Sequence, residues 1–261
     1  ADGTIVAIGA YLHNGNKGRT RIYQYSSNTW IQLGQDLVGD DDDHSGVSVS
    51  LSADGTILAI GAYYHHVGYF TNEGRTRIYQ YSSNGWSQLG QDLIGVSGDS
   101  SGWSVSLSAD GTIVAIGAYQ HNSGTGRTRI YKYISSNSPP WSQLGQDLVG
   151  DTNGDKSGWS VSLNADGTIV AIGAYDYDVG NYTNEGRTRI YQYSSNTWSK
   201  LGQDLVGDPG DYSGWSVSLS ADGTILAIGA YSYDSGKGRT RIYQYSSNSW
   251  SKLGQDLLGD A

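Results

Sequence analysis

An all-β propeller of five four-stranded, blade-like repeats is the architecture this sequence predicts, and three observations predict it. The segment ADGTI starts at residues 1, 53, 109, 165 and 221. GRTRIY starts at 18, 74, 126, 186 and 238, and LGQDL at 33, 89, 144, 201 and 253. The repeat length of 52 to 60 residues holds several short strands and no helical periodicity. That combination marks propeller blades, with a β-solenoid second because its coils are usually shorter and lack tight hairpins. Residues 1–261 are then a single propeller domain.

Each repeat contributes the same elements in order. WSVSLS alternates apolar and polar side chains, as at Trp103, Val105 and Leu107, and reads as a strand with one face packed. SADGT follows, and its Asp-Gly step is a strong hairpin signal because Gly tolerates positive φ. TIVAIGAY is apolar throughout and predicts a strand covered on both faces. RTRIYQY is a third strand, YSSNTW and its variants a turn, and TWSQLGQDLVG a fourth, more polar strand.

The strand count is uneven. The inner SGxSVSLS segment occurs four times, at Ser45–Ser52, Ser101–Ser108, Ser157–Asn164 and Ser213–Ser220, against five copies of every other strand. The first blade is expected to lack its innermost strand, or to take it from a homo-oligomer or a longer polypeptide. An unfilled strand edge is adhesive.

SGWSVSLSADGTIVAIGAY followed by GRTRIYQY resembles the FG-GAP repeat of integrin-α-like propellers. Gly102, Ser104 and Val105 match the opening of that motif, and Gly117 and Ala118 match its close, with Tyr119 where the family has Pro. The resemblance recurs in every complete repeat. It implies the propeller fold, but not the family's calcium loop, which is reduced here to SADGT. One carboxylate cannot supply the roughly six to eight oxygens that calcium takes.

Composition narrows the function. The chain has no Cys and no Met, and a formal net charge of −9. Cysteine-based metal sites and nucleophiles are excluded, and the missing Met suggests a processed or excised product. No apolar run approaches the roughly 20 residues of a membrane-spanning helix, and membrane insertion is not expected. One glycosylation sequon, Asn181-Tyr182-Thr183, fits an extracellular or cell-surface location.

All ten Arg lie in the RTR segments and are expected to stack on Tyr and pair with Asp between blades. The remaining acidic residues fall in the loops after the second and fourth strands, which emerge on one side. This predicts an acidic face that repels nucleic acid and suits a protein or glycan partner.

The second-to-third loops vary most. Each offers a ring followed by a polar side chain: His13 with Asn14, His65 with His66, His121 with Asn122, Tyr177 with Asp178, and Tyr233 with Asp234. Such pairs can stack on and hydrogen-bond a sugar. In the other loop set, Asp40, Asp41, Asp42, Asp43, Asp151, Asp155, Asp208 and Asp211 are candidate calcium ligands, calcium being the one cofactor left open. Asp43, Asp99, Asp155 and Asp211 are also placed to cap the loop that precedes each inner strand.

No nucleophile elbow, zinc-protease motif or phosphate-cradling loop occurs, and a repeated pattern argues against one asymmetric active site. The expectation is therefore a non-enzymatic, extracellular structural or adhesive interaction module using the acidic loop face. A multivalent lectin and a consensus-like or engineered repeat scaffold are the alternatives.

Overall fold

A computed structural model describes residues 3–68, 71–180 and 184–260. Asp2 and the sequon at 181–183 lie outside the described residues.

The fold is a five-bladed β-propeller. The second blade is typical: its strands are Ser48–Leu51, Ile57–Ala62, Arg75–Ser82, Gly85–Gln88 and Leu93–Ile94, from inside to outside. All neighbours pair antiparallel. Blades three, four and five repeat this plan. The first blade has Ile5–Ala10, Arg19–Ser26, Thr29–Gln32 and Leu37–Val38, and among the described residues no innermost strand joins it.

The hairpin between the two inner strands is fixed by its own side chains. The Asp54 carboxylate accepts hydrogen bonds from the Ser52 hydroxyl at 2.6 Å and the Thr56 amide at 3.0 Å, while Gly55 takes φ of 72°. The Ser27-Asn28 turn has both residues at positive φ, the geometry that matches strand twist.

The fourth strand is not continuous. It breaks between Gln88 and Leu93, and both halves pair with the third strand. Gly90 turns at φ of 82°, and the break directs the Asp92 carboxylate onto Arg75 and Arg77. The ion pairs between neighbouring strands compensate the lost ladder bonds.

The hydrophobic core lies between blades, not within one centre. Blade one sends Ile22 and Leu37 against Leu58, Ile60 and Trp86 of blade two. Equivalent layers lie between the following blades. Each of four tryptophans also donates its indole N–H to the preceding blade: Trp86 to the Leu33 carbonyl at 2.9 Å, Trp141 to Leu89, Trp198 to Leu144 and Trp250 to Leu201. The Gln35 amide then bonds both the backbone N–H and the carbonyl of Trp86. Gly61 lets the inner strands nest: a Cβ there would lie 1.9 Å from the Gly102 carbonyl oxygen.

Candidate functional site

Two layers of side chains occupy the end of the blades where the second strands finish. The inner layer is aromatic. Ser104 pairs with Gly117, so Trp103, just before the inner strand, meets Tyr119, just after the second. Their ring centroids are 4.8 Å apart. The same register in the neighbouring blades makes a continuous arc. Tyr63 meets Trp103 at 5.1 Å, Trp103 meets Trp159 at 4.5 Å, Trp159 meets Trp215 at 4.7 Å, and Trp215 meets Tyr231 at 4.3 Å. His44 continues the arc beside Tyr63 and Tyr64, and its burial pushes its pKa down. Sequence reasoning did not single out this arc. Its signal was the pairing of Gly-Trp before one strand with Tyr after the next.

The outer layer is a chain of buried ion pairs. Asp43, in the loop entering blade two, is buried and bonds the buried Arg75 guanidinium. Its second oxygen lies 2.7 Å from His65 Nδ1. Burial alone would raise the Asp43 pKa. The His65 hydrogen bond, the Asp40 backbone N–H and the Arg75 charge outweigh it and hold the carboxyl below the usual range. Blade three repeats the constellation with Asp99, Arg127 and His121, whose Nδ1 is 2.7 Å from Asp99. In blades four and five Asp155 and Asp211 hold Arg187 and Arg239. There the ring is Tyr, lying under the guanidinium: Arg187 is 3.8 Å from the Tyr177 centroid and Arg239 is 4.1 Å from Tyr233. The array is therefore asymmetric, with two His–Asp dyads followed by two Tyr–Arg stacks.

The remaining residues singled out from sequence are placed as follows. His13 and Asn14 lie in a short turn of the first blade, with Asn14 exposed at φ of 52°. Asn122 is its counterpart in blade three. His66 accepts the Asn72 backbone N–H and meets Tyr64 edge-on. Asp178 accepts the Asn184 N–H, and Asp234 pairs with Lys237. At His65–His66, Tyr177–Asp178 and Tyr233–Asp234 the ring and its polar neighbour thus point different ways: the ring to the buried pair, the polar group to the loop.

The carboxylates read as calcium ligands face guanidinium groups. Asp40 bonds Arg75 and Arg77, Asp151 bonds Arg187 and Arg189, and Asp208 bonds Arg239 and Arg241. Asp41 pairs with Lys17, and Asp42 accepts from Asn16. Asp40, Asp43 and His65 do converge within 4.8 Å. However, Arg75 is bonded to both carboxylates, so a cation already fills the place a metal would take. Asp43, Asp99, Asp155 and Asp211 do cap their loops, each accepting a backbone N–H from three or four residues earlier. Because Arg75, Arg127, Arg187 and Arg239 reach these loops, that side carries less net charge than its acidic residues alone indicate.

This network makes acid stability measurable. Hydrogen bonds from Arg189, opposed by burial and reinforced by Arg187, hold Asp151 at about 2. Asp40, Asp147, Asp204 and Asp208 are also lowered, burial raising each but their Arg and other partners prevailing. A carboxyl whose pKa is depressed by folding adds stability that is complete above its unfolded pKa and is lost as pH falls through its folded one. The melting temperature is expected to be flat above about pH 5 and to fall steadily from about pH 4 towards 2. A melting temperature unchanged down to pH 2 would show that these pairs add nothing.

Solved structures share this fold. Pseudomonas aeruginosa periplasmic gluconolactonase matches at a TM-score of 0.65 and 14% identity, over 98% of this chain and 68% of that one. A candidate 6-phosphogluconolactonase of Bacteroides uniformis matches at 0.53 and 11%, over 96% and 81%. TolB of Acinetobacter baumannii matches at 0.52 and 15%, over 95% and 52%. No family model matches the chain, and no curated protein does, so the FG-GAP resemblance rests on the residues quoted for it. Among the described residues no helix is long and apolar enough to cross a membrane.

The expectation of a non-enzymatic adhesive module, with a lectin or a scaffold as alternatives, is corrected by these likenesses. A gluconolactonase is built on the same fold, so blade repetition is no argument against an active site. The physical reason is visible here: near-identical strands carry loops whose chemistry changes from His–Asp to Tyr–Arg between blades.

Proposed function

We propose that this chain is a lactone hydrolase whose general base is the His121–Asp99 dyad. The observation that carries this is the 2.7 Å contact between His121 Nδ1 and a buried carboxylate. A carboxylate at Nδ1 fixes the proton there and leaves Nε2 as the basic atom. Arg127 shares the same carboxylate and holds it in place from the other side. Neighbouring groups suit a polar cyclic ester. Tyr119, Trp103 and Trp159 offer ring faces, and Lys156 holds an ammonium 5.7 Å from the Tyr119 centroid.

In this reading Nε2 takes a proton from water, and the resulting hydroxide adds to the lactone carbonyl. The ring C–O bond then breaks, and the alkoxide leaving group recovers the proton from Nε2. Lys156 stabilises the negative charge that develops on the carbonyl oxygen. His65–Asp43 is a second dyad of the same kind. The name of the Pseudomonas protein supports the substrate class, and its periplasmic location supports a site of action outside the cytoplasm.

The test is pH-stat titration of glucono-1,5-lactone opening by the intact chain and by His121→Asn, His65→Asn and the double variant. Loss of the base is expected to lower kcat about 10²- to 10⁴-fold, with His121→Asn carrying the larger share. Rates equal to the intact chain in the double variant would overturn the assignment.

A further inference from the structure

The residue between each loop-capping Asp and the Ser-Gly step after it changes from blade to blade: His44, Ser100, Lys156 and Tyr212. All four take positive φ, between 52° and 60°, a conformation uncommon outside Gly. Each is pinned by a backbone N–H donated to the loop of the preceding blade. His44 donates to the Asn16 carbonyl, Ser100 to Asn72, Lys156 to Gly124 and Tyr212 to Asn184. A fixed backbone with a different side chain in each repeat is the pattern of a recognition position.

The residue after the strand-end Tyr varies with it: Tyr64, Gln120, Asp176 and Ser232. In blade two the two positions meet, with the His44 and Tyr64 rings 5.0 Å apart. In blade four the same positions bring Lys156 and Asp176 together, yet the two do not pair. Lys156 turns to blade three, where its Nζ donates to the Gln120 side-chain oxygen at 3.3 Å. Gly124 leaves it room, since a Cβ there would lie 2.5 Å from Nζ. Asp176 is half-buried, and among the described residues its carboxylate accepts no hydrogen bond and forms no ion pair. Burial, reinforced by Asp178 and Asp155 and opposed by Lys156, pushes its pKa up. Asp40, Asp151 and Asp208, by contrast, all hold Arg. Beside Asp176, the Trp159 and Tyr175 rings stand 4.5 Å apart. Burial, with the charge of Asp176 second, pushes the Tyr175 hydroxyl up to about 12, so it stays a hydrogen donor at neutral pH.

We propose that Asp176 binds substrate hydroxyls and selects polyhydroxylated lactones over unsubstituted ones. A carboxylate without a donor can accept from two neighbouring hydroxyls. The Trp159 and Tyr175 rings suit the C–H face of the same substrate. Lys156 links this contact to the His121 dyad, because His121 directly follows Gln120. The lactone as reacting group rests on the hydrolase reading above, whereas the hydroxyl contact can be measured without turnover.

Tryptophan fluorescence titration makes that measurement with D-glucono-1,5-lactam, and with piperidin-2-one, the same ring without hydroxyls. The intact chain is expected to bind the glucono-lactam about 10- to 100-fold more tightly, and Asp176→Ala to lose that margin. Asp176 makes no bond within the fold, so the variant is expected to keep its melting temperature. The ratio of kcat/KM for glucono-1,5-lactone to that for δ-valerolactone is expected to fall in the variant by a similar factor. A glucono-lactam that does not bind, or an undiminished margin in the variant, overturns the proposal. A chain that opens both lactones equally well also overturns it and leaves the hydrolase reading standing. Binding through Asp176 with neither lactone opened upholds the contact and overturns the hydrolase reading.

Discussion

Trp141→Ala is expected to destabilise the chain by about 3–5 kcal/mol, while Trp30→Ala, at the equivalent position of blade one, changes stability by less than about 0.5 kcal/mol. Both residues end the same repeat turn, but only Trp141 is enclosed by the preceding blade. Its removal opens a cavity in the core layer shared by blades two and three, and leaves the Leu89 carbonyl without its indole donor. Urea denaturation followed by circular dichroism reads the difference. Equal effects at the two positions would show that blade-to-blade packing does not carry stability. The contrast follows from an array in which each unit is stabilised mainly by its neighbours.

Asp99→Ala is expected to cost about 3 kcal/mol or more, because it leaves the buried Arg127 short of a counter-charge. Asp147 still faces Arg127 at 2.9 Å, which keeps the loss towards the lower end of that class. The same substitution also removes the hydrogen bond that caps the loop at the Val96 N–H and the one that orients His121. Asp41→Ala is the control: Asp41 is exposed and pairs only with Lys17, so its loss is expected within about 0.5 kcal/mol. Chemical denaturation of both variants distinguishes a buried network from surface charge. An Asp99 variant as stable as the control would contradict the burial argument.

Much of the fold was legible because its signals are local. The ADG turn closes through Asp54 and its neighbours within two residues. The shortage of inner strands was likewise a matter of counting segments, and among the described residues blade one has none. The break in the fourth strand was not legible. Its cause is the turning of Asp92 onto Arg75 and Arg77, 15 to 17 residues earlier. The expected stacking of Arg on Tyr occurs in blades four and five, and pairing of Arg with Asp between blades occurs in blades two to five, while Arg19 and Arg21 pair with Asp36 of their own blade.

The candidate site was half legible. His65, His121, Tyr177 and Tyr233 were identified as repeated rings, but their partners were assigned to the adjacent residue. The actual partner of His65 is Asp43, 22 residues away in the loop before its blade, and Asp99 is equally distant from His121. The partnership depends on how one blade's exit loop folds over the next, which periodicity alone does not encode. The acidic loops misled for the same reason. Their charge is counted along the chain, while the arginines that neutralise it arrive from the following blade.

The central claim is that the loop side of this propeller holds a working base, and lactone opening with and without its two imidazoles tests it most directly. Turnover of glucono-1,5-lactone by the intact chain, corrected for the spontaneous rate, is expected to exceed that of the His65→Asn, His121→Asn double variant by about 10²- to 10⁴-fold. A chain that opens the lactone no faster than buffer, while folded by circular dichroism, would contradict the account.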